Sequence, residues 1–411
     1  MRPSDVARWP VYSAEIGDRI RTMITRGDVF DYAGAPPVTE LEQKFSSLHE
    51  GLYAVSLNSG TSAMFAALLS LGVSEGDEVI IPNLTFMASG SPLLWLDAKL
   101  VLADSDSTEP SIGVEAIASA ITPLTRAVVV THLFGNPVDV VAIAALCRCH
   151  NIRLIEDCSH AHASTVDSRH VGTFGDAAIY SIGAGKLVSG GHGGILITPH
   201  SSVRDVAVLL GHFKPRTRRD LRSADLRQYA EFALGGNLRL SPVAAALALD
   251  HLDRLSELSH ARQANVDVLD EAFTGLLEPV RSSRPRRNGS HFDIVYMLPA
   301  GVPSARRDEL LDALSAAGTL ATAPSTRPLN RVLHDIGSSD GALSDVSVIR
   351  RLRAFADAAP PDDRLAYSTG QHDRMVSFPA ARLYAADAQA ARWIARAARP
   401  IIKRLVEEFE P

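Results

Sequence analysis

Strand-length and helix-length segments alternate along the first half of this 411-residue chain. Short apolar runs predict strands at 53–57, 78–82, 99–103, 127–131 and 152–156, and longer segments predict helices at 64–71, 85–94, 113–121 and 138–150. This alternation is typical of a mostly parallel sheet with helices on both faces. The chain is therefore predicted to be an α/β protein, a class in which ligands bind at the carboxyl ends of the strands.

A glycine-rich loop with one lysine lies between two further strand-like runs, from Asp176 to Thr198. The loop holds Lys186, one of only five lysines in a chain whose positive charge is nearly all arginine. Glycines let the backbone bend and let a ligand come close. A primary amine can form a Schiff base, which arginine cannot do under ordinary conditions. These residues alone leave two interpretations open, a solvated loop charge or an amine presented to a ligand.

Other polar and aromatic residues also fall at predicted strand ends. Gly60 and Thr61 follow the first strand and open a helix, where free amides and the helix dipole favour an anion, although Ser and Thr are also ordinary helix caps. Phe86 follows the second strand, and Asp157 closes the fifth. A carboxylate in that position either caps the next segment or pairs with a cationic ring nitrogen. We expect these residues to share one edge of the sheet with Lys186.

The composition is that of a globular protein long enough for two domains. A net charge of −6 gives no basic footprint, so nucleic acid is not expected as a partner. No apolar run reaches membrane-spanning length, so no membrane association is expected. Cys147, Cys149 and Cys158 are too few for a disulfide framework and lack metal-site spacing, which predicts no metal and a cytoplasmic location. Tyr180 and Leu187 stand where a nucleotide-triphosphate loop needs Gly and Ser or Thr.

The second half of the chain has its own pattern of strands and helices, which predicts a large domain at 1–255 and a smaller α+β domain at 256–411. Residues 213–228 mix basic and acidic side chains and are interpreted as a solvated surface segment, and residues 281–290 as a linker or exposed loop. We predict a strand at 291–298 and helices at 11–27, 38–49, 243–258, 304–317 and 387–408.

Several short motifs together resemble the DegT/StrS-type sugar aminotransferases, which are pyridoxal-phosphate enzymes of fold type I. The motifs include Ser59-Gly60-Thr61, Glu156-Asp157, Ser181 to Lys186, Gly193-Gly194 and Gly236-Asn237-Leu238-Arg239-Leu240. The resemblance implies a large domain with a mostly parallel sheet flanked by helices, a smaller C-terminal α+β domain, and pyridoxal 5'-phosphate as cofactor. His160-Ala161-His162 and Gly185-Lys186-Leu187 are more similar to the cyclitol aminotransferase and aminohydroxybenzoate synthase branch.

The resemblance also implies roles for individual residues. Lys186 would form the Schiff base with the cofactor and shuttle a proton, and Asp157 would pair with the pyridinium nitrogen. The other implied cofactor contacts are Phe86 stacked on the ring, His160 facing the ring, Gly60, Thr61 and Ser181 at the phosphate, and Asn237 at the phosphate of the neighbouring subunit. The last of these implies a homodimer with shared active sites.

The function implied is transfer of an amino group from glutamate or glutamine to a keto-sugar or keto-cyclitol, in antibiotic or other secondary-metabolite biosynthesis. Two alternatives stay open: a non-transaminating enzyme of the same family, such as a dehydratase or aromatising synthase, and a catalytically silent binding protein. Three departures from the family pattern bear on this choice: His192 where glutamate is usual, Ile182 where an aromatic is common and Ser164 where glycine is common. His291, Arg327 and His334 are candidate substrate contacts, each weighed against an ordinary surface or loop position.

Overall fold

A seven-stranded sheet forms the centre of the molecule. The computed structural model describes residues 1–30, 36–281, 286–337 and 346–408. The strands of this sheet are β1 (Tyr53–Leu57), β2 (Glu78–Pro82), β3 (Lys99–Ala103), β4 (Thr125–Thr131), β5 (Arg153–Asp157), β8 (Ala177–Ser181) and β9 (Gly194–Thr198). Their spatial order is β1-β9-β8-β5-β4-β2-β3. All adjacent pairs are parallel except the two that involve β9, as expected for an α/β protein.

Helices cover both faces of this sheet. They are α1 (Ala14–Arg26), α2 (Pro36–Leu48), α3 (Gly60–Ser70), α4 (Leu93–Leu96), α5 (Val114–Ala120), α6 (Val140–Cys149), α7 (Ser201–Gly211), α8 (Lys214–Asp220), α9 (Ala224–Arg227) and α10 (Pro242–Asp253). Alternate residues of β4 point to opposite faces: Val128 and Val130 join the core under α2, α6 and α10, while Ala127 and Val129 join the core under α3 and α7. The chain between Tyr53 and Thr198 is therefore held by apolar layers on both sides.

A second core lies in the C-terminal part. Its sheet has the order β10-β12-β13, from β10 (Glu278–Pro279), β12 (Ile294–Met297) and β13 (Met375–Phe378). The helices of this part are α11 (Leu255–Phe273), α12 (Ala305–Ala316), α13 (Leu329–Gly337), α14 (Ser347–Ala358), α15 (Ala366–His372) and α16 (Gln389–Glu407). A small sheet of β6 (Thr165–Val166), β7 (Arg169–His170) and β11 (Arg287–Asn288) joins the two halves.

Two segments connect the two cores. Helix α11 contributes Leu258 to the core beside the large sheet and Val266 to the C-terminal core. The N-terminal segment does the same with Trp9 and Val6. The division at residue 255, which falls at the start of α11, stays a prediction. In the part of the chain that the structure describes, none of the helices is both long and apolar enough to cross a bilayer.

The predicted helix at 85–94 is wrong. The structure has only a 3₁₀ turn at Met87–Ser89 and the single turn of α4 at Leu93–Leu96 in this region. Pro92 explains the break, because a proline lacks the amide of a helix interior and disfavours helical conformation in the residue before it. The interruption leaves Phe86 and Ser89 on a loop beside the sheet edge instead of on a regular helix.

Two predictions of exposed segments need correction. Arg216, within 213–228, is 2% exposed and its guanidinium donates to both carboxylate oxygens of Glu42, at 2.9 and 2.8 Å. Arg287, within 281–290, belongs to β11, and its largely buried guanidinium pairs with Glu109. Residues 282–285 of the predicted linker lie outside the described residues. Both arginines are buried because carboxylates pair with their charge, which a local sequence pattern does not reveal.

Candidate active site

A cavity of about 370 Å³ opens at the carboxyl edge of the parallel strands. Its size lies in the range of small-molecule sites, roughly 300–1,000 Å³. The walls come from the start of α3, the loops after β2, β5 and β8, and the segment that precedes β12. Its lining includes Gly60, Thr61, Phe86, Thr131, Asp157, Ser159, His160, Ser181, Lys186, His192 and Phe292. The sequence prediction that strand-end residues gather at one edge is confirmed.

Lys186 lies in the loop between β8 and β9. Its amide donates to Gly183 O at 3.0 Å, and its carbonyl accepts a hydrogen bond from Trp9 Nε1 at 2.8 Å. The side-chain Nζ lies 4.4 Å from the centroid of the Phe292 ring. Burial lowers the pKa of the amine to about 8, although the carboxylates of Asp157 and Asp293 act in the opposite direction. The amine is therefore closer to neutrality near pH 7 than an ordinary lysine.

Asp157 is the last residue of β5, and its buried carboxylate lies at the cavity wall. Ser89 Oγ donates to Oδ2 at 2.8 Å, and the Ser159 amide donates to Oδ1 at 3.0 Å. Ser89 is itself 3.0 Å from Thr85 Oγ1, which lies 2.7 Å from Thr131 Oγ1. These contacts fix the direction of the carboxylate.

The N-terminus of α3 forms another wall. Ser59 caps the helix, because its Oγ accepts the Ser62 amide at 3.0 Å. The first-turn amides of a helix have no intrahelical partner, which makes this end suitable for a phosphate. A Cβ placed on Gly60 would lie 2.9 Å from the Ser181 Cβ. Glycine at position 60 therefore lets α3 approach the end of β8 closely enough for both elements to contact one ligand.

His160 and Phe292 are stacked beside Lys186. Their ring centroids are 3.9 Å apart and the ring planes differ by 12°. The Phe134 amide donates to His160 Nδ1 at 3.3 Å, which places the imidazole proton of the neutral form on Nε2. Burial lowers the pKa of His160 well below its usual value, and the nearby Lys186 charge adds to the effect. His160 is thus a neutral ring in the cavity wall.

Phe292 and Asp293 were not predicted from the sequence as site residues. They immediately precede β12, which belongs to the second sheet, so that no local motif links them to the Lys186 loop. Asp293 is partly buried and its Oδ1 accepts from Ser377 Oγ at 3.3 Å. Burial raises the pKa of Asp293 to about 6, while the Ser377 hydrogen bond and the charges of Arg262 and Lys186 limit the rise.

The remaining predicted residues fall in different places. Phe86 lines the cavity with 57% of its surface exposed, and His192 lines it from the glycine-rich loop. Asn237 is exposed, does not line the cavity of its own chain, and accepts from Arg239 Nε at 3.0 Å.

The three candidate substrate contacts lie away from the cavity lining. His291 lies in the loop before β12 but is buried there, and its Nε2 is 2.7 Å from Gln263 Oε1. Arg327 pairs with Asp335 at 2.8 Å and His334 is exposed, so that these two match the surface interpretation. His291 is buried because it immediately precedes Phe292 and the strand β12, which packs in the second core.

His132, Glu156 and Cys158 form a buried cluster close to the site, with potential ligand atoms within 4.8 Å of one another. The Glu156 carboxylate accepts from the amides of Gly172, Phe174 and Gly175, at 2.7, 2.8 and 2.8 Å, and lies 3.2 Å from His132 Nε2. His132 Nδ1 accepts the Val138 amide at 3.2 Å. Protein donors therefore already satisfy the carboxylate and orient the imidazole, and the cluster fixes the loops after β4 and β5.

The donor set of the cavity fits pyridoxal phosphate. An aldehyde requires a primary amine, which Lys186 supplies. A pyridinium nitrogen requires a carboxylate, which Asp157 supplies from a rigid position. A phosphate requires backbone amides and hydroxyls, which the start of α3 and Ser181 supply.

Comparison with known proteins agrees with this chemistry. Residues 14–332 match the model of the DegT/DnrJ/EryC1/StrS aminotransferase family. The chain belongs to this family. Membership places it among the pyridoxal-phosphate-dependent aminotransferases, and the resemblance predicted from the sequence motifs is confirmed.

Similar proteins in the DegT/DnrJ/EryC1/StrS family carry different enzyme names. The chain is 32% identical over 247 residues to a GDP-perosamine synthase of Escherichia coli O157:H7. This alignment covers 60% of this chain and 66% of that protein. It is 31% identical over 295 residues to an L-glutamine:2-deoxy-scyllo-inosose aminotransferase of Streptomyces kanamyceticus, which covers 70% of this chain and 68% of that protein. The aligned region thus spans about two thirds of each relative.

A solved structure extends the similarity to nearly the whole chain. It is that of 3-amino-5-hydroxybenzoic acid synthase, with a TM-score of 0.81 and 25% identity, over 97% of this chain and 99% of that one. The predicted fold class, a fold type I aminotransferase, is confirmed.

Proposed function

We propose that this chain transfers an amino group from glutamate or glutamine to the ketone of a cyclitol or sugar, in the cytoplasm and as part of secondary-metabolite assembly such as antibiotic biosynthesis. The observation that carries the proposal is the convergence of one amine, one fixed carboxylate and one helix N-terminus on a single cavity. Similarity to an enzyme named for L-glutamine and a deoxy-inosose supports the choice of donor and acceptor class.

Individual residues take separate tasks in this proposal. When bound, pyridoxal phosphate supplies an aldehyde and an electron-accepting ring. Lys186 holds the cofactor covalently and moves a proton with its Nζ. Asp157 keeps a proton on the ring nitrogen by charge pairing, and Ser89 and Ser159 hold it in place. Phe86 and His160, which both line the cavity, would contact the cofactor ring.

The phosphate would be held by the start of α3, Ser181 and a residue of a second subunit. Within one chain Gly60, Thr61 and Ser181 line the cavity and Asn237 does not. The segment before Asn237 carries three exposed apolar side chains, and Phe232 among them is 89% exposed. Apolar surface of this kind marks a contact with another protein. We infer that the segment packs on a second copy and delivers Asn237 to that copy's phosphate site.

His192 favours one alternative function. Its side chain lines the cavity beside the Lys186 loop, where an imidazole stands in place of the glutamate common in the family. An imidazole can act as a general acid or base, which suits an elimination or aromatising reaction. The similarity to 3-amino-5-hydroxybenzoic acid synthase points the same way.

The test uses glutamine labelled with ¹⁵N in its α-amino group and a panel of keto-cyclitols and keto-sugars. The proposal expects the label in the product amine and no product from Lys186→Ala. Conversion of the acceptor by loss of water without label transfer would favour the dehydratase or aromatising alternative. Absence of any turnover over the panel, with cofactor bound, would favour a binding protein.

A further inference from the structure

Phe292 contacts both Lys186 and His160 with its ring. The Lys186 Nζ lies 4.4 Å from the ring centroid, and the His160 imidazole stacks on the ring at 3.9 Å. A cation within about 6 Å of an aromatic centroid is attracted to the ring electrons, and the attraction increases when water is excluded. The ring therefore offers the ammonium form of Lys186 a defined place.

Backbone hydrogen bonds to a part of the chain that is distant in sequence hold Phe292 in place. Its amide donates to Phe134 O at 2.9 Å, and the Phe134 amide in turn donates to His160 Nδ1. The preceding Ser290 donates from its amide to Gly135 O at 3.1 Å and from its hydroxyl to His160 O at 2.9 Å. The two stacked rings are thus joined through the loops after β4 and β5 as one rigid unit.

Four titratable groups on the surrounding elements are coupled to the Lys186 amine: Asp157, Asp293, His160 and His162. Asp157 at the end of β5 and Asp293 before β12 favour its charged form, while burial favours the neutral form. His160 and His162 are both kept neutral, since burial lowers the pKa of His160 well below its usual value and that of His162 to about 3. Neither imidazole therefore competes as a cation near neutral pH.

We propose that Phe292 is a positioning residue that holds the free amine of Lys186 over its ring during the part of the cycle in which this amine carries no cofactor. This inference rests on the proposed function, because only a transaminase frees its lysine for a full half-reaction. The ring holds the amine at the cavity, ready to return to the substrate or the cofactor.

The test compares Phe292→Leu with Phe292→Tyr in the full-length chain freed of cofactor. Each protein is treated with limiting acetic anhydride between pH 5 and 11, and acetylation of Lys186 is measured by peptide mass spectrometry against the half-exposed Lys403 on α16. Loss of the ring contact destabilises the ammonium form of Lys186. Phe292→Leu should therefore lower the pH at which acetylation of Lys186 is half-maximal by about 0.4 to 1.5 pH units. Phe292→Tyr, which keeps the ring, should match the wild type.

An unchanged midpoint in Phe292→Leu, or an equal fall in Phe292→Tyr, would overturn the inference. If the leucine variant does not fold, the wild-type chain with ¹³Cε-labelled lysines provides the answer. An aromatic ring under the amine predicts an upfield-shifted Lys186 signal, assigned by its loss in Lys186→Arg, and an unshifted signal overturns the inference. Borohydride trapping of pyridoxal phosphate on the wild type separately tests the proposed function, so that the two can fail independently.

Discussion

Asp157 shows what a single residue contributes to this site. Its carboxylate accepts hydrogen bonds from Ser89 and Ser159. The other proposed cofactor contacts, at the start of α3 and on Lys186, come from different elements. We expect Asp157→Ala to abolish turnover, by at least about a thousandfold for a lost charge stabilisation of roughly 4 kcal/mol, while some cofactor remains bound.

The measurement for Asp157 pairs steady-state turnover with the cofactor absorbance of the purified protein. The matched control is Asp18→Ala, which removes an exposed carboxylate of α1 that pairs with Arg21. The control should keep wild-type turnover. Full activity in Asp157→Ala would refute the assignment of this residue to the ring nitrogen.

Site residues could be predicted from the sequence only where a local motif marked them. Lys186, Asp157 and Gly60 stand at strand ends in glycine-rich or polar segments, and the structure brings them to one cavity as predicted. Phe292 and Asp293 lie in an ordinary strand-like segment. Phe292 reaches the cavity, and the Asp293 charge acts on Lys186, only because β12 packs in the second core. Tertiary packing of this kind leaves no local signal in one sequence.

At the scale of elements, the contact between α3 and the end of β8 carries a prediction. Gly60→Ala would add a methyl group 2.9 Å from Ser181 Cβ, so that α3 must shift away from β8. We expect affinity for pyridoxal phosphate to fall about tenfold or more, which corresponds to roughly 1.4 kcal/mol of binding free energy.

Fluorescence titration of the cofactor-free chain with pyridoxal phosphate measures the effect of Gly60→Ala. Gly17→Ala in α1 is the control, because a Cβ there has no neighbour within 4 Å. Alanine is favoured over glycine inside a helix by roughly 0.5–1 kcal/mol, so the control should be at least as stable as the wild type. Equal cofactor affinity in the two variants would contradict the close approach described for α3.

The elements themselves were predictable where periodicity was strong. The five strands predicted with bounds, β1 to β5, lie within two residues of their observed ends, because buried parallel strands form continuous apolar runs. The other two, β8 and β9, were predicted only as strand-like runs on either side of the Lys186 loop. The helix predicted at 85–94 was wrong because the apolar content of this segment outweighed the turn signals of Gly90 and Pro92. The burial of Arg216 was not predicted because its partner Glu42 lies on α2, far away in sequence.

At the scale of the whole molecule, buried histidines couple folding to pH. Burial lowers the pKa of His162 to about 3, whereas an unfolded histidine titrates near 6.5. The fold thus favours the neutral form of His162. The contribution of this group to the free energy of unfolding is complete above about pH 6.5 and is lost as the pH falls toward 3. Each pH unit in that window removes about 1.4 kcal/mol of unfolding free energy for this one group.

Urea unfolding of the wild type and His162→Phe at several pH values between 7 and 4 checks this coupling. The variant should lose stability less steeply with falling pH, with the difference in slope near 1.4 kcal/mol per unit. The matched control is His260→Phe, which removes an exposed imidazole of α11. A slope in His162→Phe equal to that of the wild type would show that His162 is not held neutral by the fold.

The proposed dimer is also a property of the whole molecule. Phe232 is 89% exposed, and a charge at this position would oppose apolar contact with a second copy. We expect the wild type to sediment as a dimer and Phe232→Asp to sediment as a monomer with much reduced activity, because Asn237 no longer reaches the other cavity. Trp95→Asp, which alters another exposed aromatic, should remain an active dimer. A fully active wild-type monomer would contradict the shared site.

The central claim is that Lys186 captures an aldehyde cofactor. The most direct measurement saturates the purified chain with pyridoxal phosphate, reduces it with borohydride, and maps the adduct by peptide mass spectrometry. The account predicts one adduct for each chain, on the peptide that contains Lys186, and none on that peptide in Lys186→Arg. An unmodified Lys186, or an adduct spread over the other four lysines, would contradict the account.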